Sequence, residues 1–156
     1  MKKVIIALDY DPSAEKVAET GYSIAKAMGA EVVLVHVVDE PAYYSSSAYS
    51  PIMGFTGFSG PDMMAMDDGL YKEAKRYLQE SKKHLGDETI EVSVLDGDFT
   101  EAVSNVAHSL KADLLVMGTH SRRGIDRLLM GNLAEKMLKH INIPLLAVPT
   151  HPEDKK

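Results

Sequence analysis

Residues 4–38, VIIALDYDPSAEKVAETGYSIAKAMGAEVVLVHVV, decide the fold. Val4 to Leu8 is an unbroken apolar run rich in β-branched residues, the pattern of a strand covered on both faces in a parallel sheet. The spacing then becomes helical: Val17, Gly21, Ile24, Ala25 and Met28 fall on one face. Asp11 is placed to cap this helix, Pro12 suits its first turn, and Gly29 is a stop. Glu31 to Val38 is a second buried-type strand. Parallel neighbours need a crossover connection, and a helix of this length supplies one.

The same alternation continues downstream. Residues 39–65 are rich in Ser, Gly, Pro and Tyr and lack periodicity, which predicts a long flexible loop of the kind that usually carries function. A helix is expected from about Met66 to Leu85, with Leu70, Ala74, Tyr77, Leu78, Ser81 and Leu85 on one face. Ile90 to Leu95 alternates and reads as a strand with one wetter face. Val103, Val106, Ala107 and Leu110 return to helical spacing; Asp98 and Glu101 form a loose capping box, with Thr100 as the rival cap. DLLVMG (113–118) is a fourth strand, NLAEKMLKHI (132–141) a last helix, and PLLAVP (144–149) a last strand. Strict β-α alternation predicts an α/β fold: one doubly wound, five-stranded parallel sheet, Rossmann-like, with helices on both faces. No repeat or linker divides the chain, so residues 1–156 are expected to form a single domain. Ligands of such sheets bind beyond the carboxyl ends of the strands, where the strand order reverses.

Composition narrows the partners. The net charge of −6 disfavours broad electrostatic contact with nucleic acid or anionic membrane, so an anion site must be local. With no cysteine, disulfides, zinc–thiolate sites, iron–sulfur clusters and cysteine nucleophiles are excluded. No apolar stretch approaches ~18 residues, so no membrane span is expected. The first apolar run meets Asp9 too early for a signal peptide, and a cytoplasmic location is the expectation.

Two places can carry chemistry. Asp9 directly follows the first strand, where its carboxylate either accepts from ribose hydroxyls or, like Asp11, caps the first helix. The second is MGTHSRRGIDRLLMGN, residues 117–132, between the fourth strand and the last helix. Gly118 allows a ligand or another backbone to approach closely. Asn132 and Glu135 form a capping box, which predicts a helix start whose free N–H groups suit phosphate. A single helical turn is expected before it, near Asp126 to Leu129. Arg122, Arg123 and Arg127 either add positive charge or are solvated loop residues. No Gly-Lys-Ser/Thr triplet and no G-x-G-x-x-G follow the first strand, so standard nucleotide loops are absent.

The histidines give no metal motif. His36 is expected to pack within the second strand; His84, His108, His140 and His151 are scattered, and no pair has H-E-x-x-H spacing. The chain alone is therefore expected to hold no metal. His120 contacts a phosphate or faces solvent. Ser59 in GFTGFSG is not on a strand-to-helix elbow, so no catalytic residue is assigned. Met53, Met63, Met64 and Met66 are packing residues or part of an adaptable lid or partner surface.

Taken together, these residues resemble the universal stress protein family over almost the whole length: Asp9 after the first strand, VHVVD (35–39), ADLLVMGTHS (112–121) and IPLLAVP (143–149). ATP-binding members carry G-x2-G-x9-G-[S/T] after the fourth strand. The matching positions are Gly118, Ser121, Gly131 and Asn132, with the spacing intact and Ser and Asn as departures. The resemblance implies ATP as ligand, with Mg²⁺ bridging its phosphates. Asp9 would hold the ribose, and the backbones of Ala7, Val37 and Met117 would border the adenine. Gly118, Ser121, Gly131, Asn132 and Leu133 would border the ribose and phosphates. It also implies a homodimer paired through the last strand, Pro144 to Pro149, whose apolar edge invites a partner.

The implied function is a small ATP-binding stress-response regulator that acts as a switch or sensor in a dimer. Alternatives are a slow ATP hydrolase, for which no general base is identifiable, and a nucleotide-free dimeric interaction module. A phosphate-accepting receiver domain shares the five-strand alternation and would use Asp9, Asp11 and Asp96. It needs a lysine after the last strand, where this chain has VPTHP (148–152).

Overall fold

The computed structural model describes residues 2–38, 61–119 and 127–150, with side chains for 2–38, 69–119 and 133–150. In chain order the elements are β1 (Lys3–Ala7), α1 (Ala14–Met28), β2 (Glu31–Val38), α2 (Pro61–Leu85), β3 (Glu91–Asp96), α3 (Phe99–Leu110), β4 (Leu114–Gly118), α4 (Arg127–His140) and β5 (Leu145–Val148). The strands form one parallel sheet in the order β3-β2-β1-β4-β5. This is the doubly wound α/β architecture expected from the alternation. The chain moves outward from β1 through β2 to β3, then crosses back to place β4 on the other side of β1.

Strand alternation divides the core. Val4, Ile6, Leu8, Val32, Leu34 and Val116 pack with Val17, Ala18, Ala25 and Leu78 of α1 and α2. Ile5, Ala7, Val33, Val35, Val37, Leu115 and Met117 pack with Val103, Ala107 and Met137 of α3 and α4. Both faces of β1 are thus buried, which is why its sequence is apolar without alternation. At the edge, β3 is half-buried between its ends, in keeping with its wetter reading.

Helix ends depart from the sequence reading in three places. Ser13, not Asp11, sits at the α1 N-cap and makes no side-chain capping bond. Asp11 is buried two residues earlier, where its Oδ1 accepts from Ser13 N at 2.9 Å and Ser13 Oγ at 2.8 Å. Its local bonding closes a side-chain turn instead of capping the helix. Second, α2 begins at Pro61, so residues 61–65 are helical and not part of a loop. Proline is pre-set for a first helical turn, and Met63, Met64 and Ala65 are strong helix formers. The remainder of that expected loop, 39–60, lies outside the described residues. Third, α4 begins at Arg127 and not at Asn132. The expected single turn is continuous with the last helix, because Leu128, Leu129 and Met130 favour helix and Gly131 weakens it by only about 1 kcal/mol. At the α3 start, Asp98 is the cap and accepts from Glu101 N; Thr100 lies within the helix with its hydroxyl buried and without a partner among the described residues.

Helix α1 ends as expected. Gly29 adopts φ 67°, with Gly29 N on Lys26 O and Ala30 N on Ala25 O. On its inward face Gly21 lets the helix lie close to the sheet. A Cβ there would stand 2.8 Å from Ile6 Cδ1 and 3.2 Å from Val116 Cγ1. Both side chains are fully enclosed, so neither can yield freely.

The seam between α1 and α2 has polar ties at its exposed rim. Tyr22 donates to Asp87 Oδ2 at 2.8 Å. Bonds from the Thr89 hydroxyl and N–H, then from Tyr22, hold the Asp87 carboxyl down to about 2. His84 Nε2 lies 2.8 Å from Glu19 Oε2 and 3.0 Å from Glu15 Oε2. The hydrogen bond to Glu19, then the charge of Glu15, raises its pKa above 6.5.

Two outcomes follow. Gly21→Ala should lower stability by about 1–2 kcal/mol in urea unfolding, although alanine favours helix, because the overpacking term exceeds the propensity gain. Because the folded pKa of His84 is raised, its contribution is complete below 6.5 and is lost as pH climbs past the folded value. His84→Gln should therefore lower Tm relative to wild type at pH 6, with the gap closing by pH 9.

Candidate functional site

The hydrogen-bond ladders at the carboxyl edge run to different lengths. The β1–β4 ladder stops at Ile6–Val116. On its outer side β1 continues pairing with β2 through Ala7–Val35, and Leu8 N bonds Val35 O at 2.9 Å. On the other side β4 continues with β5 through Gly118–Val148, and Thr119 N bonds Val148 O at 3.0 Å. The two central strands therefore part beyond Ile6 and Val116, each drawn toward its outer neighbour. This is the topological switch point, where parallel α/β sheets bind ligands.

Sequence-expected residues meet at this crevice. Ala7 and Asp9 are on the β1 side, Met117 and Gly118 on the β4 side, and Val37 is near the end of the adjoining β2. The side chains of Ala7, Val37 and Met117 are buried toward α3 and α4, and Leu133 of α4 packs against the same cluster. Their backbones, not their side chains, are what the edge can present. Gly131 and Asn132 are carried by α4 as its fifth and sixth residues, counted from Arg127. Ser121, with His120, Arg122, Arg123 and Gly124, lies outside the described residues.

Gly118 is crowded on one side, which spacing does not reveal. A Cβ there would stand 3.1 Å from Val17 Cγ2 and 3.5 Å from both Thr150 Cγ2 and Oγ1. The close approach comes from the chain itself, through α1 and the buried Thr150. Thr150 N donates to Thr119 Oγ1 at 3.1 Å, tying the segment after β5 to the segment after β4.

Asp9 is half-buried and braced locally. Its Oδ1 accepts from Asp11 N at 3.0 Å, and its carbonyl accepts from the Tyr77 hydroxyl of α2. Tyr77 also meets Tyr10 edge-on, with ring centroids 4.9 Å apart, and Tyr10 lies 4.3 Å from the His36 ring. His36 is buried as expected and its Nδ1 donates to Leu8 O at 2.7 Å, which places the proton on Nδ1. Burial, then the charge of Asp9, pushes the Tyr77 hydroxyl pKa well up, so it stays a donor. Tyr10, His36 and Tyr77 thus hold the Leu8–Asp9 segment from the α2 side. In the sequence Tyr77 is one more inward helix position. Its hydroxyl was the available signal, since a half-buried phenol needs a polar partner.

Tyr77→Phe should therefore cost about 0.5–1.5 kcal/mol in urea unfolding, the loss of one internal hydrogen bond, with the fold retained by circular dichroism.

Comparison with known proteins bears on the whole chain. A universal stress protein of Methanocaldococcus jannaschii is 29% identical over 149 residues, covering 94% of this chain and 81% of the relative. The solved structure of a second protein of that organism, MJ0577, superposes with a TM-score of 0.73 at 24% identity, covering 96% of each chain. A universal stress protein solved in complex with cAMP superposes with a TM-score of 0.65 at 20% identity, covering 96% of this chain and 98% of that one. One from Archaeoglobus fulgidus, in complex with dAMP, gives 0.61 at 17% identity, covering 95% and 98%. The model of the universal stress protein family matches residues 1–149, and the chain belongs to that family.

Proposed function

We propose that this protein binds an adenine nucleotide, ATP, in the crevice between β1 and β4 and acts as a nucleotide-dependent stress-response regulator. The observation that carries the reading is the early end of the β1–β4 ladder at Ile6–Val116, with Asp9 on one lip and Gly118 on the other. Family members in complex with cAMP and with dAMP support an adenine ligand. In this reading the Asp9 carboxylate accepts from the ribose hydroxyls, and the backbones of Ala7, Val37 and Met117 border the adenine. Ser121 and Gly118 adjoin the ribose and phosphates, and Mg²⁺ enters with the phosphates and bridges them.

Helix α4 modifies the phosphate side. In a helix starting at Arg127, the N–H groups of Asn132 and Leu133 have helical partners at Leu128 and Leu129. Phosphate at Gly131, Asn132 and Leu133 then competes with the first turn of α4, and Gly131 is the weak point at which that turn opens. The continuity of α4 also favours the second reading, a nucleotide-free interaction module, since a closed first turn leaves these N–H groups committed. In either reading β5, the edge strand next to β4, is the surface for a homodimer. Among the described residues no helix is long and apolar enough to cross a membrane.

Calorimetric titration of the full chain with ATP and Mg²⁺ should give one nucleotide per subunit. Asp9→Asn keeps the acceptor for Asp11 N but removes the charge, and should weaken ATP binding about tenfold with little change in Tm. Absence of binding by ATP, AMP and cAMP alike would overturn the nucleotide reading in favour of the interaction module.

A further inference from the structure

A second cluster of donor atoms lies outside the crevice, on the exposed rim of the α1–α2 seam. Glu15 and Glu19 stand one turn apart on α1, and His84 faces them from the last turn of α2. The ligand atoms of the three side chains all lie within 4.8 Å of one another. His84 Nε2 stands 2.8 Å from one carboxylate and 3.0 Å from the other. Its orientation contrasts with His140, in the last turn of α4, whose Nδ1 turns back onto its own helix at Lys136 O, 2.8 Å away. His84 reaches across to another helix.

The donor set has the chemistry of a coordination site. One imidazole nitrogen and two carboxylate oxygens match borderline transition metals, zinc above all, and three protein ligands leave a fourth position for water. Bonds of ~2.0–2.2 Å place neighbouring donors about 3–3.5 Å apart, so the observed separations need only small side-chain adjustments. Access is open, since the side chains of Glu15, Glu19 and His84 are each about half exposed or more. The groove beside them is lined by Asp11, Tyr77, Glu80 and Ser81, which adds acidic character.

We propose that Glu15, Glu19 and His84 form a site for a divalent transition-metal ion, with Zn²⁺ the best match, that clamps α1 to α2. An imidazole binds a metal only in its neutral form, so affinity rises with pH. Sequence spacing conceals the site because its ligands come from two elements far apart in the chain.

The test is calorimetry with Zn²⁺ alone on the nucleotide-free full chain, in a weakly coordinating buffer at pH 6 and 7.5. Wild type should bind Zn²⁺ more tightly at pH 7.5 and gain Tm. Glu19→Gln and His84→Gln should each bind at least about tenfold more weakly and lose the Tm gain, whereas His140→Gln should match wild type. Circular dichroism of the metal-free variants checks that the fold is intact, which their exposed positions favour. No Zn²⁺ binding by wild type, or equal affinity in folded His84→Gln, would overturn the proposal.

Discussion

Everything at the carboxyl edge depends on how far β1 can hydrogen-bond to each neighbour. Pairing with β4 ends at Ile6–Val116, while pairing with β2 and that of β4 with β5 continue. Backbone donors and acceptors need partners, and here the outer strands supply them. The central strands separate as a result, and the residues leaving them, Asp9 and Thr119, stand on opposite lips. A crevice made this way belongs to the topology and does not rely on any single side chain. That fits a family in which sequence identity is low and the fold is retained.

The helices serve this edge unequally. On one face, α1 and α2 brace it: Gly21 seats α1 on Ile6 and Val116, and Tyr77 of α2 holds the Asp9 carbonyl. The rim of their seam is polar and carries the Tyr22–Asp87 bond and the Glu15–His84–Glu19 group. On the other face, α4 holds Leu133 against the apolar cluster that backs Ala7 and Met117. The two helical layers therefore reach the site by different means, one through polar contacts to the turn after β1 and the other through apolar support beneath the strand ends.

Much of the fold was legible because buried parallel strands leave a strong pattern. Glu31–Val38 has the bounds read from sequence, β1 is shifted by one residue at both ends, and β4 starts one residue later. Helix starts were less legible. Asn132 with Glu135 reads as a capping box, yet the same residues are compatible with a helix interior, and Leu128 to Met130 extend the helix through Gly131. Asp98 and Thr100 were both acceptable caps, and the backbone geometry selects Asp98. At the candidate site, Asp9 and Gly118 were visible from their places after apolar runs. The brace by Tyr77 was not, since it pairs residues 68 apart in the chain.

The sequence by itself determined the order of elements, the apolar character of the strands and the family motif positions, because each is a local pattern of spacing and residue type. Only the tertiary structure decided which strand ends part, which neighbours crowd Gly118, and which helix reaches Asp9. Those outcomes follow from contacts between segments remote in sequence. Packing of Val17 and Thr150 against Gly118, and the bond from Tyr77 to Asp9, exist only once the sheet has brought β1, β4 and β5 side by side.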